Sequence, residues 1–498
     1  MIPQRSSKKR AAQHIAIYSA GTIIRQLAGF IMLPIYTSYL TPADYGVVGL
    51  LVVMVSLFEL LIGARFAQAV PRFFYEQESS EGQNTVVSTA LVITFSISIL
   101  STTLVFIFSN TISNLFFGTP SFYHYVSIYG FILLFGAVEV YGLTFFRLRE
   151  SPILFIVNSI SKLILQLVLN IVFVVNLEMG VAGVVYSSVI SSLVFAIISA
   201  FYILSHTGLS VDYSLIRRFI IFSWPLWLAG LAGLYIGSSN RFFIRIFSDL
   251  DQVGLFELAG KFAAIIPMLF WKPFSQWWQT ERFKIYQSED KGISVYPKVF
   301  DGMGILLVII ALGISVTSGP IIKLMSSPLF YQSILAIPPL VYAALLTDMT
   351  NFFTFSFLVS DKNIYITYIK YLSALFITVL YFILVPIFGY IGASYSLLMA
   401  TIFVFLLSYN KSKKFFDNNI KIKYFLSIVS VSFVFSIIDQ CFSLSIDSLT
   451  ILLSLKVILI FVFFLLIYLS LFFKKETKIV VDSFIKTIWD VVFAKVSR

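Results

Sequence analysis

Residues 180–204 read GVAGVVYSSVISSLVFAIISAFYIL, a run with no charged side chain. It is long enough to cross a bilayer as a helix, which takes about 20 apolar residues. No water reaches the bilayer interior, so the backbone must satisfy its own polar groups, and a helix does so. Comparable runs lie near 15–38, 46–69, 86–108, 124–146 and 153–175 before it, and near 216–239, 252–273, 300–322, 331–356, 364–386, 389–409, 423–441 and 451–473 after it. The expectation is an all-α polytopic membrane protein with about fourteen spans. Prolines in or near spans (Pro34, Pro225, Pro267, Pro338, Pro339, Pro386) are tolerated in such helices and kink them.

Composition supports this reading. Of 498 residues 59% are hydrophobic and only 12% charged, too few charges to cover a soluble protein of this length, so a soluble enzyme is excluded. The single cysteine, Cys441, rules out a disulfide framework, and the scattered His14, His124 and His206 offer no metal-site spacing. There is no Gly-rich phosphate loop with Lys and Ser/Thr, so neither ATP nor any other cofactor is expected. The formal charge of +11 marks a side of the membrane rather than a nucleic-acid partner.

With fourteen spans and a cytoplasmic N terminus, alternate segments hold 25 basic residues inside and 3 outside, the latter being Arg241, Arg245 and Lys323. That asymmetry predicts both termini in the cytoplasm. The first span is too long for a cleavable signal, and no outer connector is long enough for a domain. The tail 474–498 repeats charge at Lys478, Asp482, Lys486 and Asp490, as an amphipathic surface helix or a flexible basic tail would.

The opening of the quoted run recurs. MGVAGVVYS at 179–187 is matched by FGYIGASYS at 388–396, so that Gly180, Gly183, Tyr186 and Ser187 precede Gly389, Gly392, Tyr395 and Ser396 by 209 positions. Asp44-Tyr45-Gly46 matches Gln252-Val253-Gly254 at 208. Two six-helix lobes, 1–209 and 210–415, are expected, followed by helices 13 and 14 in 416–473. Each lobe holds an even number of spans, so the two would share one orientation, with a cavity between them as in transporters.

Charges inside spans are costly and need an account. They are Arg25, Glu59, Arg65, Glu139, Lys162, Glu257, Lys261, Lys272, Asp301, Asp348, Lys370, Asp439 and Lys456. Arg65, Lys272, Asp301, Asp439 and Lys456 are expected near enough to an end to reach the headgroups. The deep cations Arg25, Lys162, Lys261 and Lys370 suit a hydrated chamber for an anion, with arginine able to grip phosphate oxygens in pairs. Interhelical ion pairing, Arg25 with Glu59 for example, is the alternative. Tyr18, Ser19, Tyr36 and Tyr39 could bond sugar hydroxyls or simply pack.

The stretch IIRQLAGFIMLPIYTSYLTPADYGVVGLL at 23–51, through Arg25, Gly29, Pro34, Leu40, Pro42, Tyr45 and Gly46, resembles the opening of O-antigen flippase-type polysaccharide biosynthesis proteins. DQVGLFELAGKF at 251–262 continues the likeness. These belong to a superfamily shared with multidrug exporters and the lipid II flippase. The resemblance implies a non-enzymatic flippase of the bacterial inner membrane, serving O-antigen and lipopolysaccharide or other surface-polysaccharide synthesis. It would move undecaprenyl-diphosphate-linked oligosaccharide outward by alternating access, as a monomer, beside other polysaccharide-assembly proteins. It also implies a diphosphate site at Arg25, Lys261 and a helix 2 arginine, either Arg65 or Arg72, with Lys162 and Lys370 as further cations. Glu59, Glu139 and Asp348 would couple transport to H+ or Na+. The uncharged Gly29-Phe30-Ile31-Met32 argues against lipid II as cargo. The rivals are a multidrug or cation antiporter and, behind it, a glycan polymerase or ligase.

Overall fold

A computed structural model describes residues 29–62, 66–288, 290–445, 454 and 456. The expected site residues Arg25 and Arg65, most of the first and fourteenth spans, and the tail 474–498 lie outside the described residues.

The described chain is helical. Helix α1 covers Leu33–Tyr39 and α2 Pro42–Ile62. Between them Thr41-Pro42-Ala43-Asp44 forms a reciprocal cap: the Asp44 amide donates to Thr41 Oγ1 at 3.2 Å, and the Thr41 amide to Asp44 Oδ2 at 3.0 Å. Pro42 takes the first helical position, where its missing N–H costs nothing. Helices α3 (Phe66–Tyr75), α4 (Ser80–Ile107), α5 (Ser109–Phe117), α6 (Tyr123–Tyr129), α7 (Phe131–Leu148), α8 (Pro152–Asn170) and α9 (Gly180–Thr207) follow. Helix α8 runs on into a π-helical turn at Ile171–Asn176.

Helix α10 is longer than expected. It runs Tyr213–Phe247, capped by Asp212, so Arg241 and Arg245, expected between two spans, are helical residues. Arg245 donates from Nε to the Phe116 carbonyl at 2.8 Å, at the end of α5, where the bare carbonyls attract a cation. Helix α11 covers Leu250–Ala263, and Pro267 lies in a π turn at Ile266–Trp271 that leads into α12, Lys272–Tyr286. Helices α13 (Tyr296–Met325), α14 (Ile337–Val359), α15 (Ile364–Ser412) and α16 (Ile422–Ser445) complete the set.

Ten helices among the described residues are long and apolar enough to cross a membrane. Helix α15 has 49 residues, over twice the length one crossing needs, and it breaks at Gly389, whose φ is +55°. The break falls at the first residue of the expected span 389–409, directly after the expected span 364–386. Gly180, 209 positions earlier, has φ +56°. Both glycines hold a left-handed conformation that other residues avoid.

The described residues form two compact units, one up to Glu257 with Tyr381–Tyr390, the other from Leu258–Leu380 with the chain from Ile391 on. In the first, Phe73, Val86, Val87, Phe145, Ile203 and Phe219 build the core of α3, α4, α7, α9 and α10. In the second, Gly304 on α13 leaves room for the Phe425 ring of α16, which also packs on Phe300 at 5.2 Å. Close packing of this kind, aided by polar links, holds helices together in lipid.

One expectation is overturned in the second unit. Asp439 and Lys456 do not reach toward headgroups: they are 1% and 3% exposed and bonded to each other at 2.7 Å. Lys456 also donates to Ser443 Oγ at 2.8 Å and to the Val316 carbonyl at 2.5 Å. Two opposite charges and the carbonyl of α13 satisfy one another, which makes depth tolerable.

Candidate functional site

Polar groups gather at three places. The first is the face of α8, where Asn158, Lys162, Gln166 and Asn170 recur every four residues and so share one side of the helix. A short connector makes α9 antiparallel to α8, and serines on α9 meet this face in order. Lys162 Nζ donates to Ser192 Oγ at 3.1 Å, Gln166 Nε2 to Ser188 Oγ at 3.3 Å, and Ser187 Oγ to Asn170 Oδ1 at 3.0 Å. The Tyr36 hydroxyl of α1 donates to the same Asn170 oxygen at 3.2 Å. Lys162 is ion-paired with Glu139 of α7. Glu59 of α2 lies beside this pair, within electrostatic reach of both partners. It has no hydrogen-bond or ion-pair partner among the described residues. A side-chain carbon on Gly136, one turn from Glu139, would stand 3.8 Å from Glu59 Oε1.

The second place is where α2 and α11 cross. A Cβ on Gly46 would overlap the carbonyl oxygen of Leu250, and one on Gly254 the carbonyl oxygen of Pro42. The Ala43 amide donates to Asp251 Oδ1 at 3.0 Å, while Gln252 Oε1 accepts the Tyr390 amide at 3.1 Å. One turn further, Glu257 fills the space that Gly49 leaves empty and is ion-paired with Arg241. Arg241 also donates to the Gly237 carbonyl at 2.8 Å.

The third place is in the second unit. Asp348 on α14 is 7% exposed, and its Oδ2 meets no hydrogen-bond donor among the described residues. Lys272 is within electrostatic reach of it. Lys261 on α11 is half-buried and Lys370 on α15 exposed; neither ammonium has a hydrogen-bond or ion-pair partner among the described residues. Arg72, by contrast, sits on the exposed surface of α3. It pairs with Glu76 at 3.2 Å, which also holds Arg218 at 2.5 Å, and its guanidinium lies 4.9 Å from the Phe222 ring centre. The Arg218 hydrogen bond, followed by that of Arg72, holds the Glu76 carboxyl below its ordinary range.

Residues 11–277, more than half of the chain, match the sequence profile of a family described as polysaccharide biosynthesis protein. The chain belongs to this family. No curated protein matches it. Among solved structures, a lipid II flippase MurJ in an inward closed conformation superposes with TM-score 0.70 at 14% identity, over 92% of this chain and all of that one. An inward-facing MATE family multidrug transporter of the MOP superfamily gives 0.60 at 15% identity, over 78% and 94%. The MATE multidrug transporter DinF-BH gives 0.57 at 17% identity, over 82% and 96%. At these identities the likeness establishes a shared all-α, multi-pass fold.

Within this family member, the structure brings together three of the expected site residues, Glu59, Glu139 and Lys162. Lys162 is therefore neutralised by a carboxylate and does not stand as a free cation. Arg241 with Glu257 was missed as a pair, because a shorter α10 was expected. The 208-residue spacing was the available signal: it sets Gly49 opposite Glu257, a glycine against a charged residue.

Proposed function

We propose that this protein is a flippase carrying undecaprenyl-diphosphate-linked oligosaccharide from the cytoplasmic to the outer leaflet of a bacterial inner membrane. The observation that carries this reading is the coincidence of two matches. The profile over 11–277 is one of polysaccharide biosynthesis, and the fold is shared with a lipid II flippase over 92% of the chain. A polysaccharide-making pathway assembled on a lipid carrier needs its product moved across the membrane, and this fold moves lipid-linked cargo in the relative. The fourteen-span, two-lobe organisation with cytoplasmic termini is part of the proposal, as are a monomeric state and alternating access.

In this reading Arg25 and Lys261 hold the diphosphate, with Arg65 or Arg72 and Lys370 along the route. Lys261 and Lys370 suit the role because no carboxylate among the described residues neutralises them. The exposed, Glu76-paired Arg72 is the weaker of the two helix 2 choices. Glu59, Glu139 and Asp348 couple transport to a proton or sodium gradient. A second reading, a multidrug antiporter, is favoured by the MATE structures that share the fold. It would use Asp348 and Glu59 for a cationic drug.

The deciding experiment follows the leaflet position of lipid-linked oligosaccharide in a deletion strain complemented with wild type, Arg25→Ala or Lys261→Ala. Accumulation on the cytoplasmic leaflet with either variant supports the flippase. Unchanged surface glycan at equal protein level removes these residues from the site, and drug resistance on overexpression without a glycan defect favours the antiporter.

A further inference from the structure

The two units handle charge at their helix ends in opposite ways. In the first, α4 and the α9–α10 connector meet where the Asn84 carboxamide donates to the His206 carbonyl at 3.2 Å. Both helix starts there are capped by oxygen. The Gly82 amide donates to Ser79 Oγ at 3.1 Å, with Glu81 in the first turn of α4, and the Ser214 amide donates to Asp212 Oδ1 at 2.8 Å. Segments 72–81, 147–150 and 206–218 hold five basic and five acidic residues. Their arginines bind the protein itself: Arg72 and Arg218 hold Glu76, and Arg149 donates to Asn84 Oδ1 at 2.7 Å.

In the second unit, segments 281–298, 361–362 and 411–423 hold ten basic residues against five acidic ones. Here lysines flank the helix starts. Lys298 lies in the first turn of α13, Lys362 stands two residues before α15, and Lys421 and Lys423 bracket the first residue of α16. No acidic residue occupies the first turn of any of the three. A helix start carries partial positive charge, so a lysine there costs stability where a carboxylate would add it. An anion covering the surface offsets that cost.

The surface rests on a firm base. Phe416, in the α15–α16 connector, packs on Tyr286 of α12 at 5.2 Å and on Tyr296 of α13 at 6.1 Å, and its carbonyl accepts the Ser356 hydroxyl of α14 at 2.9 Å. Phe415 packs on Tyr365 of α15 at 4.9 Å. Asn418 and Ile420 are buried, and Asp417 Oδ1 accepts the Asn419 amide at 3.0 Å within the turn. Lys413, Lys414 and Lys421 are exposed on this pinned connector, and Lys298, Lys362 and Lys423 are exposed around it. Depth identifies the anion. Ile364, Tyr368, Tyr371 and Leu375 share one exposed face of α15, an apolar stripe that suits lipid tails, and Lys362 stands at its end. Tails along the stripe and ammonium groups at its head match the two parts of an anionic phospholipid. Lysine, a point charge on a flexible stem, suits mobile headgroup phosphates.

We propose that this lysine surface of the second unit, built on the pinned 413–421 connector with Lys298, Lys362 and Lys423, is a binding site for anionic phospholipid headgroups. In the orientation proposed above they belong to the inner leaflet. The site is separate from cargo handling and does not rest on the flippase reading.

The test uses the full-length protein in neutral detergent, titrated with phosphatidylglycerol or with zwitterionic phosphatidylcholine, and counts bound lipids by native mass spectrometry. Wild type should prefer phosphatidylglycerol, and the preference should weaken as salt rises. In Lys413→Gln/Lys414→Gln/Lys421→Gln/Lys423→Gln, affinity for phosphatidylglycerol should fall by about fivefold per lysine removed, while phosphatidylcholine binding stays at the wild-type level. The same four positions changed to Arg should keep the site, as should Arg149→Gln/Arg217→Gln in the first unit. If the glutamine variant fails to fold, Lys362→Gln and Lys421→Gln should each show the fivefold loss alone. Equal phosphatidylglycerol affinity in wild type and the lysine variants overturns the site. An equal loss in Arg149→Gln/Arg217→Gln would reduce the effect to overall charge and overturns it too. Loss of binding on removal of residues 474–498, with every lysine of the surface in place, would assign the lipid to the tail instead. Displacement by inorganic phosphate beyond that by chloride of equal ionic strength would make this a free-phosphate site and overturn the lipid assignment.

Discussion

Gly46 and Gly254 meet backbone to backbone where α2 crosses α11, each lying against the carbonyl that opens the other helix, Leu250 for the first and Pro42 for the second. The positions in each match are 208 apart, so the contact is reciprocal, as at a two-fold axis. Any side chain at either glycine forces the helices apart. Gly254→Ala should therefore lower thermal stability by about 1–3 kcal/mol, the usual cost of overpacking. A cysteine pair at Ala43 and Asp251, joined by the 3.0 Å amide-to-carboxylate bond in the wild type, should cross-link in a Cys441→Ser background. Adding Gly254→Ala should abolish that cross-link. Retained cross-linking would show that the helices absorb the methyl without separating.

Gly180 and Gly389 share a left-handed backbone but not their surroundings. Nothing lies within 4 Å of a Cβ on Gly180, whereas a Cβ on Gly389 would collide with the Gln252 carboxamide. Gly180→Ala should cost only the conformational strain of about 1–2 kcal/mol. Gly389→Ala should cost more and should be partly rescued by Gln252→Ala. Thermal unfolding of the four proteins in one detergent checks the order.

Asp439 and Lys456 form a buried pair linked to α13. Removing one partner leaves the other charge bare, so Asp439→Asn or Lys456→Met alone should destabilise by about 3–5 kcal/mol. The double variant Asp439→Leu/Lys456→Met should recover much of the loss, because it removes both desolvation costs. A double variant no better than the singles would mean that the Ser443 and Val316 contacts matter more than the charges.

The limits of the sequence reading follow from what a linear chain displays. Span existence is legible because hydrocarbon demands about 20 apolar residues whatever the neighbours are. The break within α15 was legible too, since Gly389 opened the second of two full-length runs. Pairing was not. Lys162 is 23 residues from Glu139 and Lys456 is 17 from Asp439, and nothing in the apolar pattern tells which faces of two spans meet. Depth misled as well: near a span end a lysine can reach headgroups or bend into a carboxylate, and only packing decides. The buried polar groups Asn158 Nδ2 and Ser159 Oγ on α8 and Ser199 Oγ on α9, without hydrogen-bond partners among the described residues, were invisible, because these look like ordinary small polar residues until their burial is known.

The surface link between α3 and α10 should respond to acid. Arg218 and Arg72 hold the Glu76 carboxyl below its ordinary value, so the contact's contribution is present above the unfolded glutamate pKa of about 4.3. It is lost as pH falls through the lowered value, when the carboxylate is protonated and both guanidinium groups are released. Protection of the amides in Phe66–Tyr75 against hydrogen exchange, taken relative to the intrinsic rate at each pH, should fall across that acid window in the wild type. In Glu76→Gln, that protection should already be low at neutral pH, and its acid response should flatten. Because Glu76 and both arginines are exposed, the effect should also weaken in high salt, whereas the buried pair of Asp439 and Lys456 should be indifferent to it. An acid response that survives Glu76→Gln would move its origin to another carboxylate, with the Asp212 cap of α10 next in line, since its hydrogen bonds from Ser214 also lower its pKa.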